Sequence, residues 1–308
     1  MLTSFFNKSR PINFIIVFFI TLLAFAIPRL NIQFENLDYL FILKQVGMLL
    51  TIFASILLLN FIVIKNSLTE SNHFEILLFS LFLLFLTPTT EYANVIYANF
   101  FVLLSLRRII SLRSQKEVKK KLFDAAFWIA MATLFYFWSI LFFALILLSL
   151  ALYIDNNLRH WIIPFLGVLA VFLIGSATSI VLYDDYFQVF NRTAAVVSYD
   201  FSPYNTITYL VAITLLVSFG IWSAFFYLNN IKKKKKVFRV SFKVIVLAAV
   251  IGFLIVIVTP NKNGSEFLFA FSPLAIILAS YIETIEEKWF QELFLAILIL
   301  VPFILLML

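Results

Sequence analysis

The chain of 308 residues contains no cysteine, only two histidines and only six glycines. Without cysteine it can form no disulfide, offers no thiolate to a metal ion and has no cysteine nucleophile. The two histidines, His73 and His160, leave little for a metal site built on histidine. There is no Gly-rich phosphate loop, and the polar segments are too short for a nucleotide-binding domain. ATP-driven transport by this chain alone is therefore excluded.

Charge is also scarce. Charged residues make up 13% of the chain, hydrophobic residues make up 63%, and the mean hydropathy is +1.05. These values lie far outside the range of soluble domains. Repeated apolar runs match the roughly 20 residues that a helix needs to cross hydrocarbon. The sequence therefore predicts an all-α fold, a polytopic transmembrane helical bundle of about ten or eleven spans.

The first apolar run follows Lys8 and Arg10 and ends in Ala24-Phe25-Ala26, a pattern that a signal peptide shares. We interpret it as a retained membrane helix. Apolar runs and turn residues place the spans as follows: near 12–28, 45–64, 74–87, 95–110, 161–182, 207–228, 240–258, 267–282 and 290–308.

The stretch 123–154 is ambiguous, because it could be one long helix or two short ones. Basic residues collect in short cytoplasmic loops, and only an even number of crossings here keeps Lys232 to Lys236 on the cytoplasmic side. All but four of the 23 lysines and arginines then lie on that side. We therefore expect two short crossing helices, or an element that enters and leaves the same face, broken near Tyr136 to Ser139.

This arrangement predicts a single integral domain, 1–308, in the bacterial inner membrane, with a cytoplasmic N-terminus and basic cytoplasmic loops near 107–121 and 229–239. The basic face is explained by topology and by attraction to membrane lipid. No aromatic platform accompanies the lysines, so nucleic acid is not an expected partner. The predicted periplasmic loops lie near 29–44, 88–94, 183–206 and 259–266.

Any chemistry should lie in those periplasmic loops, because the centres of the spans are almost free of charge. Glu35 and Asp38 are three residues apart and would share one face of an interfacial helix. Such a pair could act as a general base or hold a divalent metal ion. A solvated loop with two acids explains the same residues. Asp184 and Asp185 are adjacent and would point apart in any regular structure.

The last periplasmic loop runs from Thr259 to Phe267 and leads into a helix that contains Pro273. Its Lys262 could hold a phosphate as a point charge. An ordinary hairpin loop before a helix kinked by proline explains the same sequence.

Two parts of the sequence resemble the GT-C superfamily. The late periplasmic segment of that superfamily is similar to the arrangement of Lys262, Glu266, Phe267 and Pro273. Its short paired central helices are similar to the run 123–154 followed by Arg159-His160-Trp161. GT-C enzymes are polytopic glycosyltransferases that use polyprenyl-phosphate sugars.

The resemblance implies a sugar donor bound in the membrane and a base in the first periplasmic loop, with a divalent metal ion as a further option. Each candidate then takes one of three roles: Glu35 and Asp38 as the catalytic carboxylates, one of them the base, Lys262, Arg192 and Arg29 at the lipid phosphate, and Glu266, Asp184 and Asp185 in support.

Over nearly its whole length the chain also resembles an uncharacterised family of polytopic membrane proteins from Bacteroidota, notably flavobacteria. The resemblance is carried by Ala98-Asn99-Phe100-Phe101 to Leu106-Arg107-Arg108 and by Lys121-Leu122-Phe123-Asp124-Ala125. It implies no activity.

Two further hypotheses compete with the transferase. The protein could be a non-catalytic subunit of a membrane secretion or translocation assembly, as the scarcity of polar groups suggests, or it could transport a lipid-linked sugar without chemistry. A lipid-sized cavity beside Lys262 and Glu35 would favour the enzyme or the transporter. A solid bundle with surfaces facing partner proteins would favour the subunit.

Overall fold

A computed structural model describes residues 2–6, 10–30, 38–70, 72–153, 157–190, 196–260 and 262–306. The described residues are mainly α-helical and contain no strand. The helices, numbered in chain order, are: α1 Leu2–Phe6, α2 Pro11–Ala26, α3 Tyr39–Asn66, α4 Phe74–Phe85, α5 Ala93–Ser111, α6 Val118–Phe135, α7 Phe142–Leu152, α8 Leu158–Tyr183, α9 Ile207–Ile231, α10 Lys236–Val258, α11 Leu268–Thr284 and α12 Lys288–Leu305.

Eight of the described helices, some extended by a 3₁₀ turn, are long and apolar enough to cross a membrane, and α4 and the segment 137–152 are shorter apolar helices. The predicted all-α transmembrane bundle is therefore confirmed. Every predicted span corresponds to an observed helix. The boundaries differ by a few residues, most at the start of α3, which begins at Tyr39 instead of near residue 45.

The local sequence explains several helix ends. Pro11 occupies the first turn of α2, where a missing backbone N–H costs nothing. The Asn157 side chain accepts a hydrogen bond from the backbone N–H of Arg159 at 3.1 Å and so caps α8. α3 ends where Ser67 adopts a left-handed conformation with φ of 50°.

The described part of the stretch 123–154, residues 123–153, is a pair of helices, and the predicted break is confirmed. α6 ends at Phe135, Tyr136 is extended, and a 3₁₀ turn over 137–141 leads into α7. Near the start of α6, Lys121 Nζ donates to the Ser111 carbonyl at 2.8 Å. After α7, the Tyr153 hydroxyl reaches the Ile110 carbonyl at 3.5 Å. α6 and α7 therefore run out from one end of the bundle and return to it.

The core of the bundle is formed by α4 and α11. Every residue of α4 is buried. In α11, 89% of the residues in its apolar membrane-spanning stretch are buried, whereas the corresponding share is 22% in α8 and in α9. The outer helices expose large apolar side chains such as Phe172, Leu173 and Phe225, which is the pattern of a surface in contact with lipid. α4 has only 12 residues and would span about 18 Å at 1.5 Å per residue. A helix this short can lie within the membrane because the neighbouring helices shield its ends from hydrocarbon.

Two ends of the bundle are distinguished below. The loop face contains the turns 27–30, 87–92, 136–141 and 198–206, and the described residues 258–260 and 262–267 of the loop between α10 and α11. The basic face contains 65–70, 107–121, 231–239 and 283–288. Arg113 Nη1 donates to the Asn66 carbonyl at 3.0 Å, which joins two segments of the basic face.

A close helix contact joins α10 to α11. A Cβ atom added at Gly252 would lie 2.7 Å from the Ala270 Cα, so the backbones meet with no room for a side chain. At Gly175 of α8, an added Cβ would meet the Phe190 ring, also at 2.7 Å. A ring can move aside, whereas a helix backbone in a packed core cannot.

We therefore expect Gly252→Ala to destabilise the protein by about 1–3 kcal/mol, the usual cost of overpacking a core. Gly175→Ala, the matched control, should cost less. Thermal unfolding in detergent, followed by intrinsic fluorescence, compares the two. Equal losses would show that the contact between α10 and α11 is not the tighter constraint.

Candidate functional site

Lys262 lies buried at the loop face, with 4% of its surface exposed. Its ammonium group donates to the backbone carbonyls of Val256, Ile257 and Thr259 at 3.0, 2.8 and 3.0 Å. The last four carbonyls of a helix have no partner within the helix, and a cation is favoured at this end of the helix dipole. Lys262 therefore caps the end of α10.

The segment before α9 covers this cap. The Lys262 ammonium lies 4.5 Å from the centre of the Phe201 ring, and the backbone N–H of Ser198 donates to the Val258 carbonyl at 3.3 Å. Burial lowers the pKa of Lys262, and the charge of Asp200 opposes that shift. Hydrogen bonds from the hydroxyl and the backbone N–H of Ser202 lower the pKa of Asp200.

Glu266 is fully buried and accepts a hydrogen bond from the Tyr204 hydroxyl at one carboxylate oxygen, Oε1. Its other oxygen, Oε2, has no hydrogen-bond partner among the described residues. Tyr204 also packs against Phe267 with ring centres 5.7 Å apart. The Tyr204–Glu266 pair ties the segment before α9 to the turn before α11.

Two further tyrosines, Tyr136 and Tyr209, join Tyr204 in holding the loop between α10 and α11 in place. The Tyr136 hydroxyl shares a hydrogen bond with Thr259 Oγ1, and burial raises the pKa of Tyr136. The Tyr209 hydroxyl donates to the Asn263 carbonyl at 2.8 Å. Gly264 has φ of +87°, and a Cβ there would lie 2.7 Å from the Tyr209 ring, so both conformation and space require glycine.

Arg29 joins three other parts of the loop face. Its guanidinium donates to Gln45 Oε1 at 2.7 Å, to the Phe25 carbonyl at 2.6 Å and to the Thr90 carbonyl at 2.6 Å. It also lies 3.5 Å from the centre of the Phe25 ring. These contacts connect the end of α2, the start of α3 and the turn before α5.

A cavity of about 400 Å³ opens between these turns. Aromatic side chains form one part of its wall, and charged, amide and hydroxyl groups form the rest. The lining includes Lys44, Glu91, Tyr92, Asn94, Phe135, Tyr136, Phe137, Trp138, Asn263 and Ser265. The indole N–H of Trp138 is buried and has no hydrogen-bond partner in the described part of the chain.

The site residues predicted from the sequence that the structure describes lie near this cavity or away from it, and none of them is among its lining residues. Lys262 belongs to the loop that forms one wall, but three carbonyls occupy its three N–H donors, and Arg29 is likewise engaged with protein groups. Binding a phosphate at Lys262 would require these hydrogen bonds to break. Asp38 is exposed immediately before α3 and makes no side-chain hydrogen bond there.

Glu35 and Arg192 fall outside the described residues. Asp184 and Asp185 are exposed at the end of α8, where Asp184 has φ of 53° and Asp185 Oδ1 accepts from the backbone N–H of Phe187 at 3.0 Å. In the described ranges, no three side chains of His, Asp or Glu come together to hold a metal ion.

Sequence reasoning missed the tyrosines and the cavity residues Lys44, Glu91 and Trp138. Lys44 and Glu91 were recognisable as charges in predicted loops, but the sequence does not show that they share a cavity.

A second buried polar cluster lies toward the basic face. Glu283 accepts hydrogen bonds from the Asn72 side chain and from the backbone N–H of Glu70. Glu75 is fully buried, and neither of its carboxylate oxygens has a hydrogen-bond partner among the described residues. No sequence pattern distinguished these acids from the other charges of the basic face.

The fold and the cavity define a multi-pass membrane protein with a polar, aromatic-lined site between the loops at one end of its helical bundle. The chain belongs to the family described as a family of unknown function (DUF6427), whose model matches residues 1–307. This match confirms the expected membership of an uncharacterised family. No curated protein and no solved structure shows significant similarity to the chain.

We expect Lys262→Met to lower the stability markedly, because three carbonyls at the end of α10 would lose their donor. One unsatisfied buried group costs about 1–3 kcal/mol, so the loss should exceed that of Lys44→Met, in which an exposed lysine is replaced. Thermal unfolding in detergent measures both variants. A Lys262→Met protein as stable as Lys44→Met would contradict the capping role.

Proposed function

We propose that this protein binds the head group of a lipid-linked sugar in the cavity at the loop face. One observation carries the proposal: the cavity combines an aromatic wall with charged and polar groups, and one of these, the indole N–H of Trp138, is buried without a hydrogen-bond partner among the described residues. Sugars present C–H faces that pack on aromatic rings and hydroxyls that need donors and acceptors. The cavity of about 400 Å³ falls in the usual range for small-molecule sites, roughly 300–1,000 Å³.

The polar groups of the cavity suit a sugar phosphate. Glu91 and Asn94 offer oxygen acceptors for hydroxyls, and the unpaired indole N–H of Trp138 offers a donor. Lys44 lines the same cavity, is exposed and makes no ion pair among the described residues, so its ammonium is available to a phosphate. In this proposal Lys44 takes the role that sequence analysis gave to Lys262.

Access for a lipid tail is supported by the surface of α3 beside Lys44. Leu40, Leu43 and Val46 are 68%, 55% and 49% exposed, and exposed apolar side chains on a spanning helix face lipid. A tail lying along α3 would leave its phosphate beside Lys44. The geometry thus suits an amphipathic ligand better than a wholly soluble one.

Glycosyl transfer, the reaction implied by the GT-C resemblance, would need a base in this cavity. Glu91 lines it, whereas Asp38 does not. We propose that Glu91 accepts the proton of the acceptor hydroxyl as that oxygen bonds to the anomeric carbon, while the bond from that carbon to the lipid phosphate breaks. Lys44 would stabilise the departing phosphate. A cavity of this kind favours a ligand-binding protein over a purely structural subunit.

The test uses the full chain in nanodiscs, a synthetic polyprenyl-phosphate hexose as probe and native mass spectrometry as readout. Lys44→Gln should reduce binding about tenfold, which corresponds to roughly 1.4 kcal/mol. Trp138→Phe should also weaken binding, because it removes the free donor. Trp128→Phe is the matched control, since the Trp128 ring stacks on Phe101 with ring centres 5.6 Å apart and lies outside this cavity.

Binding that is absent from the wild type, or equal in all four proteins, would overturn the proposal. Transfer is tested separately with the same probe and a sugar acceptor. Glu91→Gln should retain binding and lose product formation. If Glu91→Gln formed product at the wild-type rate, the catalytic assignment would be rejected while the binding site remained.

A further inference from the structure

A groove between α9 and α12 runs from the basic face into the apolar part of the bundle surface. Its outer part is a cavity of about 730 Å³ at the ends of the helices. Its inner part is a cavity of about 260 Å³ lined by Ser218, Phe219, Trp222, Leu293, Phe294 and Ile297. Phe290 belongs to the walls of both cavities. The groove therefore has one polar end and one apolar end, like a lipid.

The charges at the polar end are balanced. Lys233 and Lys234 line it from one side, and Glu286 and Glu287 line it from the other. Among the described residues none of the four forms an ion pair. Lys234 lies 5.7 Å from the Phe242 ring and also interacts electrostatically with Glu283. The mouth thus presents two cations and two anions that are available to a ligand.

Neighbouring contacts hold this mouth in place. Arg239 donates to the carbonyls of Lys234 and Lys232 at 2.9 and 2.7 Å, which fixes the lysine turn. Gln291 Nε2 donates to the Ile282 carbonyl at 2.9 Å, which fixes the start of α12 against the end of α11. A site whose charged groups are carried by fixed turns loses less entropy when it binds a ligand.

The floor of the groove is aromatic and packed. The Tyr281 ring lies 5.1 Å from Phe226 and 5.3 Å from Phe294, and Tyr281 accepts the hydrogen bond from Trp222. Trp289 at the mouth is 67% exposed, and tryptophan favours the boundary between head groups and hydrocarbon. An acyl chain would lie against this floor with its head group at the level of Trp289.

We propose that this groove binds a zwitterionic phospholipid of the phosphoethanolamine type. The phosphate pairs with Lys233 and Lys234, and the ammonium group pairs with Glu286 and Glu287. An anionic lipid would satisfy the lysines but leave two carboxylates facing its phosphate. A choline head group has no N–H donor for the carboxylates, so it forms no charge-assisted hydrogen bond with them.

The test is native mass spectrometry of the full chain with phosphatidylethanolamine, phosphatidylglycerol and phosphatidylcholine of matched acyl chains. The wild type should retain phosphatidylethanolamine preferentially. The double variant Lys233→Gln, Lys234→Gln should lower its retention about tenfold. The double variant Glu286→Gln, Glu287→Gln should instead shift the preference toward phosphatidylglycerol.

The matched control is Lys119→Gln, Lys120→Gln, which removes two exposed charges from α6 and should change nothing. Retention that is equal for the three lipids, or equally reduced in the control, would overturn the proposal. Free phosphoethanolamine, which lacks acyl chains, should not displace the lipid. If it did, the apolar half of the groove would not contribute, and the proposal of a lipid would be rejected.

Discussion

The bond of Lys262 to the end of α10 is the interaction on which the loop face depends. Hydrocarbon offers no hydrogen bonds, so a helix that ends near it must have its last carbonyls satisfied by the protein. One ammonium group satisfies two of them, the carbonyls of Val256 and Ile257, together with the carbonyl of Thr259 directly after the helix. The chain can therefore turn sharply after Val258 and enter α11, which is the most buried of the long helices. Without this cap the turn would leave unpaired carbonyls in the interior.

The other polar contacts of the loop face also provide hydrogen-bond partners for the groups of its loops and turns. Tyr136, Tyr204 and Tyr209 each contribute a hydroxyl to the loop that contains Lys262. Tyr136 follows α6, whereas Tyr204 and Tyr209 belong to the segment that leads into α9 and to its first turn. Tyrosine suits this position because its ring packs in apolar surroundings while its hydroxyl finds a polar partner. Arg29 does the same for the turns around Thr90. The cavity lies between these two tied regions, so its walls are held by contacts outside the cavity as well as within it.

Much of the fold was predictable because the membrane limits the choices. A segment of about 20 apolar residues that crosses hydrocarbon must be a helix, and all nine of the spans predicted outside 123–154 are present. The break at Tyr136 was also predictable, because the bias of lysine and arginine required an even number of crossings there. The packing of the helices against one another was not predictable from the sequence. α4 differs from the lipid-facing α2 in its length and in carrying Glu75, but neither difference shows that every residue of α4 is buried.

The site illustrates the same limit more strongly. The sequence by itself determined a helical membrane bundle with its polar groups gathered in a few loops, because burying isolated charge in hydrocarbon is too costly. Only the tertiary structure decided that Lys262 faces carbonyls while Lys44, Glu91 and Trp138 share a cavity. The sequence around a loop lysine does not show whether that lysine caps a helix or binds a ligand. The difference lies in which groups from distant segments surround it, and packing alone brings those segments together.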